Sequence, residues 1–331
     1  MVMAKVECEL ITQDAIDVEI GGSAGVLLQV KSVEITENGT AVVKPDDGFD
    51  GLQVVEINTN TPKNITGVIG VPDGMSLAQL LCSTSAASSV TEIFDDNTGW
   101  DAKDEGGTAL LNAFPNCEKL TLGMGIIHGN RKYISNNSKL KGTVSFPALK
   151  RYGSPTTDSA NGIIYNCPNV TRLDMSEIEY VNHYARNSGD AKFAMIGNMQ
   201  GLYEIDFGDI TTWTGSWAGS YNFIIDCPKS GCLKFKSVQC SMNLKYWNPS
   251  VALDASRTDL IEEGSTAANN LQQFLSNFKT YIAERLTDKG TGLTLTLSQE
   301  VRNAIHAAED EYGIENIIIT QKGWTISPAP N

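Results

Sequence analysis

Histidine is scarce in this sequence, and long apolar runs and clusters of basic residues are missing from it. His128, His183 and His306 are the three histidines in 331 residues. None belongs to an H-E-x-x-H pair or a compact Cys/His knuckle that would hold zinc. No stretch approaches the roughly 18 consecutive apolar residues of a transmembrane helix. Lysine and arginine number 25 against 39 acids, for a net charge of −14. A surface of that sign repels phosphate backbones and anionic membrane, which excludes nucleic acid as a partner. There is no Walker loop, no G-x-G-x-x-G after a strand and no G-x-S-x-G elbow. Glycoside cleavage by paired carboxylates stays open, because sequence alone does not place two acids about 5–10 Å apart. The opening MVMAKVECELITQDAIDVEI alternates and carries acids where a secretory leader needs a basic head and an apolar run, so general secretion is not expected.

Seven cysteines are an odd number, which leaves at least one unpaired in a monomer. Cys117, Cys167 and Cys227 occupy equivalent points of a repeat and read as packing. Cys227, Cys232 and Cys240 match no metal-binding spacing. The usage suits a reducing compartment.

What is present is a pattern: apolar, any, apolar, two of any, apolar, two of any, apolar. Val144, Phe146, Leu149 and Tyr152 fill it first, followed by Leu173, Met175, Ile178 and Val181, then by Ile205, Phe207, Ile210 and Trp213. Leu233, Phe235 and Val238 open a fourth copy, and Leu120 and Leu122 mark a weaker one upstream. Steps of 29, 32 and 28 residues separate the copies, a spacing expected of stacked supersecondary units. Asn116-Cys117, Asn166-Cys167, Asn198-Met199 and Asp226-Cys227 precede the strands. Asn and Asp cap backbone N–H groups in turns, and soft sulfur side chains fill the space between coils. Stacked in register, the pairs predict a ladder of polar caps beside a ladder of sulfurs. One coil cannot bury its own apolar face, so the pattern implies a solenoid.

Around this centre lie an N-terminal anchoring or oligomerisation segment (1–30), a small β-module (31–62), the solenoid (63–253) and an α/β cap (254–331). The first has strands at Lys5–Leu10 and Ile16–Ile20 before a glycine-rich hinge. The module has three strands, with Glu37-Asn38-Gly39 and Pro45–Gly48 as turns. Met75–Leu81 reads as a short helix and Val90–Phe94 as a strand. No cofactor is expected, although the acidic Asp95–Glu105 loop offers clustered oxygens of the kind calcium prefers, without EF-hand spacing. In the cap, the spacing predicts a helix over Ala268–Thr287, capped by Thr266 or Ser265. A strand at Leu293–Leu297 follows, then a helix capped by Ser298 and stopped by Gly313, and a strand at Ile317–Ile319. This strand–helix–strand unit is a right-handed parallel crossover expected to continue the solenoid's sheet.

The segment from Trp213 to Phe223 carries Trp217 and Tyr221 among glycines and serines. Rigid aromatics beside small polar residues suit sugar rings and protein partners. Tyr180 and Tyr184, one coil earlier, extend that patch. The plainer reading makes Trp213 core and the others cover for the coil. Tyr246-Trp247 reads as packing at the start of the cap.

NCPNVTRLDMSEIEYV and GNMQGLYEIDFGDITTW resemble irregular leucine-rich repeats of the BspA-like type, common in gut Bacteroidetes and their mobile elements. The tail from Leu293, with Lys322 to Thr325, is similar to the closing unit of such proteins. KSVEITENGTAVVKPDDGFDGLQVVEINTN is similar to small β-modules in virion proteins of phages that infect these bacteria. The resemblance implies a β-rich α/β fold: an irregular leucine-rich-repeat solenoid with a small N-terminal β-module and an α/β C-terminal cap. It implies a non-enzymatic structural protein of the virion, assembled in the host cytoplasm. Residues 1–62 would meet other virion proteins, and the opening strands would self-associate. The solenoid would project as a fibre or adhesin toward a host glycan or protein, with no membrane insertion. Two alternatives stay open: a BspA-like bacterial cell-surface adhesin, and a glycan depolymerase on a phage appendage.

Overall fold

In a computed structural model the chain is rich in strands, which form mostly parallel sheets, and has few helices. Side chains are described for residues 115–123, 125–127, 134–153, 162–182, 191–214 (193 excepted), 223–249, 270–285 and 292–331, and backbone alone for seven short strands between 26 and 102.

The longest sheet has eight parallel strands in chain order: Val26–Gln29, Ile65–Ile69, Glu92–Phe94, Lys119–Thr121, Lys141–Ser145, Asn169–Met175, Glu204–Phe207 and Cys232–Lys234. A five-stranded parallel sheet holds Asp101–Ala102, Ile126–Ile127, Arg151–Tyr152, Tyr180–Asn182 and Thr212–Thr214. A third holds Ile134–Ser135, Ile164–Tyr165, Ile196–Gly197 and Ile224–Ile225. From Lys119 to Ile225 the chain visits these three sheets in the same order four times. None of the sheets closes on itself among the described residues.

The apolar quartets read from the sequence fall into rows. Leu120, Val144, Leu173, Ile205 and Leu233 are successive register partners in the long sheet. Ile127, Tyr152, Val181 and Trp213 are partners in the five-stranded one. Met175 pairs with Phe207, and Ile210 with Val238. Phe207 stacks on Phe235 with centroids 4.8 Å apart. All but the half-buried Trp213 are withdrawn from solvent. Neighbouring strands lie about 4.8 Å apart, so each row is a continuous apolar column. Full burial of such a side chain stabilises by about 1.5–3 kcal/mol.

Each two-residue strand of the third sheet ends in a left-handed residue: Asn136, Asn166, Asn198 and Asp226, with φ of 56, 53, 51 and 53°. Apart from glycine, Asn and Asp enter that region at least cost. Polar residues therefore do line up at these turns as a ladder, through their left-handed backbone, with one change of member. It begins at Asn136, not Asn116, and the residue after Asn136 is Asn137 instead of a sulfur. Asn137 is buried and its Oδ1 accepts from the N–H groups of Lys139 and Leu140 at 2.8 and 3.0 Å, capping the turn itself. Cys167, Met199 and Cys227 are buried as expected.

Helix α1 (Leu271–Phe278) continues into a π-helical turn, Lys279–Ala283. Its cap is Asn270, whose side chain accepts from the Gln273 N–H at 2.9 Å, so the expected cap at Thr266 or Ser265 is corrected. Phe274 and Phe278 pack on Trp247, with centroids 5.7 and 6.3 Å away. The helix rests against strand Cys232–Lys234. Beyond it, Met242–Leu244, Thr294–Leu297 and Thr325–Ser327 form their own three-stranded parallel sheet, separate from the long one it was expected to continue. Helix α2 (Gln299–Ala307) is capped by Ser298 as expected, and α3 (Glu309–Tyr312) ends at left-handed Gly313.

Ile317–Ile319 is not a strand: it lies in a π-helical turn, Asn316–Gln321. The Glu309 carboxylate accepts from the N–H groups of Glu315 and Asn316 at 2.5 and 2.8 Å, which starts a helical turn. Local capping thus overrides β-branched propensity. Only Ile318 of the three is buried, and Ile319 is 43 % exposed.

Near the N-terminus, Ser32–Ile35, Ala41–Lys44 and Gln53–Val54 pair as a three-stranded antiparallel sheet. The strands flanking it, Val26–Gln29 and Ile65–Ile69, are parallel neighbours. The antiparallel sheet is therefore an insertion between adjacent strands of the long sheet. The expected elements at Lys5–Leu10, Ile16–Ile20 and Met75–Leu81 lie outside the described residues, as does the Asp95–Glu105 loop apart from strand Asp101–Ala102. Among the described residues no helix is long and apolar enough to cross a membrane.

Candidate functional site

Alternation along the five-stranded sheet gives it two faces. Ile127, Tyr152 and Val181 enter the core. Their predecessors Ile126, Arg151 and Tyr180, with Thr212 before the half-buried Trp213, stand side by side on the other face, each partly exposed. The Arg151 guanidinium carbon lies 4.5 Å from the centre of the Tyr180 ring, and its Nε donates to the Gly153 carbonyl at 3.2 Å. Gly153 has φ +94, and a Cβ there would fall 1.8 Å from the Asn182 carbonyl oxygen. Only glycine lets the two strand ends approach so closely. The Arg151 guanidinium is thus held twice, over a ring and by a backbone carbonyl.

The aromatics singled out in the sequence separate in the structure. Trp213 is half-buried against the core, its ring 4.1 Å from that of Phe223. Phe223 is 1 % exposed and lies 5.5 Å from Phe207. It offers no face to a ligand and leaves the set of surface aromatics. Tyr180 faces outward on a different strand. Trp217, Tyr221 and Tyr184 lie outside the described residues. Arg151 escaped the sequence reading, although a signal for it exists. It precedes Tyr152 in the repeat as Tyr180 precedes Val181 and Thr212 precedes Trp213, which places all three on one outward row.

A second polar surface runs along the long sheet. Glu204 is buried between Arg172 Nε at 2.8 Å and Lys234 Nζ at 2.9 Å. Arg172 Nη2 also reaches Asp206 Oδ2 at 3.2 Å. Burial, more than any neighbouring charge, holds the Asp206 carboxyl above its ordinary pKa. Ser145 Oγ donates to Asp174 Oδ2 at 3.0 Å, and the Ser176 N–H donates to Oδ1 at 3.1 Å. Asp174 and Asp206 are register partners, yet the oxygens of Asp174 are both engaged and Asp206 is tied to a guanidinium. This arrangement clamps successive strands. Among the described residues no cluster of side chains suited to a metal ion forms. Cys167, Cys227 and Cys240 are free thiols. No protein-family model, curated protein or solved structure matches the chain.

Proposed function

We propose that the chain is a leucine-rich-repeat-like solenoid that serves as a non-enzymatic structural protein of a bacteriophage particle and binds the host surface. One observation carries the scaffold part: the row Leu120, Val144, Leu173, Ile205 and Leu233, one residue per circuit, in unbroken parallel register. Circuits of that kind give a long, rigid surface from a repeated unit, which suits display better than an enclosed reaction chamber. The outward stripe on Arg151 and Tyr180 is the surface so displayed. The inserted antiparallel sheet is an element outside the repeat, and it belongs to the stretch 1–62 that would meet other virion proteins. The virion assignment rests on the resemblance of residues 31–60 and of the repeats, and the role in binding follows from it by analogy.

Particles purified from an infected gut Bacteroidetes culture test the assignment. An antibody to the full chain is expected to label particles, and the purified chain is expected to bind host cells without releasing sugar from their capsule. Label on the surface of uninfected cells would favour the adhesin alternative and overturn the virion reading. Sugar release would overturn the non-enzymatic one.

A further inference from the structure

We infer that Arg151 is a preset carboxylate receptor, and that the stripe Ile126–Arg151–Tyr180–Thr212 recognises a saccharide bearing isolated uronate groups. This deepens the host-binding reading above and rests on it.

A surface arginine usually loses much side-chain entropy on binding. Here that cost is met within the fold. The guanidinium is held over Tyr180, and its Nε–H is tied to the carbonyl of Gly153. Gly153 is itself fixed by its approach to Asn182. No carboxylate pairs with Arg151 among the described residues; the neighbouring Lys150 takes Glu177 and Glu179 instead. The two terminal nitrogens of Arg151 therefore present an oriented fork, the geometry that binds a carboxylate through two parallel hydrogen bonds.

The neighbours specify what carries that carboxylate. Thr212 and Tyr180 add hydroxyls on one side of Arg151, and Ile126 adds an apolar side chain on the other. A uronic acid unit offers the complementary set on one ring: a carboxylate, hydroxyls and a C–H face. Register holds the row at about 4.8 Å per strand. The net charge of −14 opposes the approach of a dense polyanion. Discrimination must therefore come from the local fork, which favours a glycan whose uronates are spaced apart.

The probes are a disaccharide with one glucuronate and its carboxyl-reduced counterpart, titrated into the full chain by NMR or calorimetry. The acidic disaccharide is expected to bind at least tenfold more tightly. Arg151→Lys, which keeps the charge and loses the fork, is expected to abolish that preference while the chain stays folded by circular dichroism. Arg151→Gln is expected to abolish binding. Equal binding of the two sugars, or an unaltered preference in Arg151→Lys, would overturn the inference. If the chain binds host cells while ignoring glucuronate, only this inference falls. If it binds no host cell, the reading beneath it falls as well.

Discussion

The side-chain amide of Asn166 donates to Asn136 Oδ1 at 2.8 Å, across 30 residues of chain. Asn198 repeats the contact with Asn166 at 3.1 Å. Asn166 thus gives one hydrogen bond and receives another while holding φ at 53°. Two such bonds contribute about 0.5–1.5 kcal/mol each, and a left-handed Cβ residue without local compensation costs about 1–2 kcal/mol. Asn166→Ala is therefore expected to lower stability by about 2–5 kcal/mol. Asn166→Gly loses the same bonds without the backbone strain, and is expected to cost about 1–3 kcal/mol. Urea unfolding of the pair separates the two contributions, and equal losses would show that the turn does not depend on its left-handed residue.

The ladder stops at Asp226 for a chemical reason. A carboxylate accepts and does not donate, so Asn198 Oδ1 is taken instead by Gln200 Nε2 at 3.0 Å. Asp226→Asn supplies the missing donor in the same left-handed turn, which either residue tolerates. The ladder is expected to gain a rung and the chain about 0.5–1 kcal/mol. The test is the urea midpoint of Asp226→Asn, alone and with Gln200→Ala. A lower midpoint in both backgrounds would mean that the Asp226 charge contributes something the amide lacks.

The apolar rows were legible in the sequence because a one-per-rung pattern repeats at nearly constant spacing, and burial leaves little choice at Val144, Leu173, Ile205 and Leu233. The left-handed turns were legible as Asn and Asp, but their true first member was hidden. Asn137 replaces sulfur by capping its own turn, and Asn116-Cys117 imitates the local motif without the conformation. Ile317–Ile319 misled because three β-branched residues state a propensity, while the Glu309 carboxylate that decides their conformation lies several residues upstream. Arg151 was missed for another reason: its ring partner Tyr180 is one whole circuit away, a distance that no local pattern spans.

Burial pushes the thiols of Cys167, Cys227 and Cys240 up to about 11, 12 and 11. The thiolate is the reactive form, so little is available near pH 8. In the folded chain, iodoacetamide at that pH is expected to leave Cys167 and Cys227 unmodified while the half-buried Cys240 reacts slowly. All three are expected to react in urea. Peptide mass spectrometry reads each site, and rapid modification of Cys227 without denaturant would contradict its place between the rungs.

Glu177 bridges two circuits by pairing with Lys236 and with Lys150, the latter at 2.9 Å. The hydrogen bond from Lys236, then that from Lys150, draws its pKa from 4.5 to about 2. Between those values the unfolded chain binds more protons at this site than the folded one, so stability rises with pH. The contribution is full above about 4.5 and is lost as pH falls toward 2. The Glu177 side chain is 37 % exposed, and solvent screening keeps such pairs to about 0.2–1 kcal/mol. Glu177→Gln is therefore expected to cost less than about 1 kcal/mol at neutral pH. That cost should shrink in concentrated salt and vanish near pH 2. Lys150 reports the same contact from the basic side, because its hydrogen bonds to Glu177 and Glu179 raise its pKa above 10.5. That contribution is present below 10.5 and is lost as pH climbs through the raised value. The difference in urea midpoint between native chain and variant, followed from neutral to acid pH, isolates this one carboxylate from the other acids. A difference that persists unchanged at the acid end would mean that Glu177 acts through packing and that its charge is incidental.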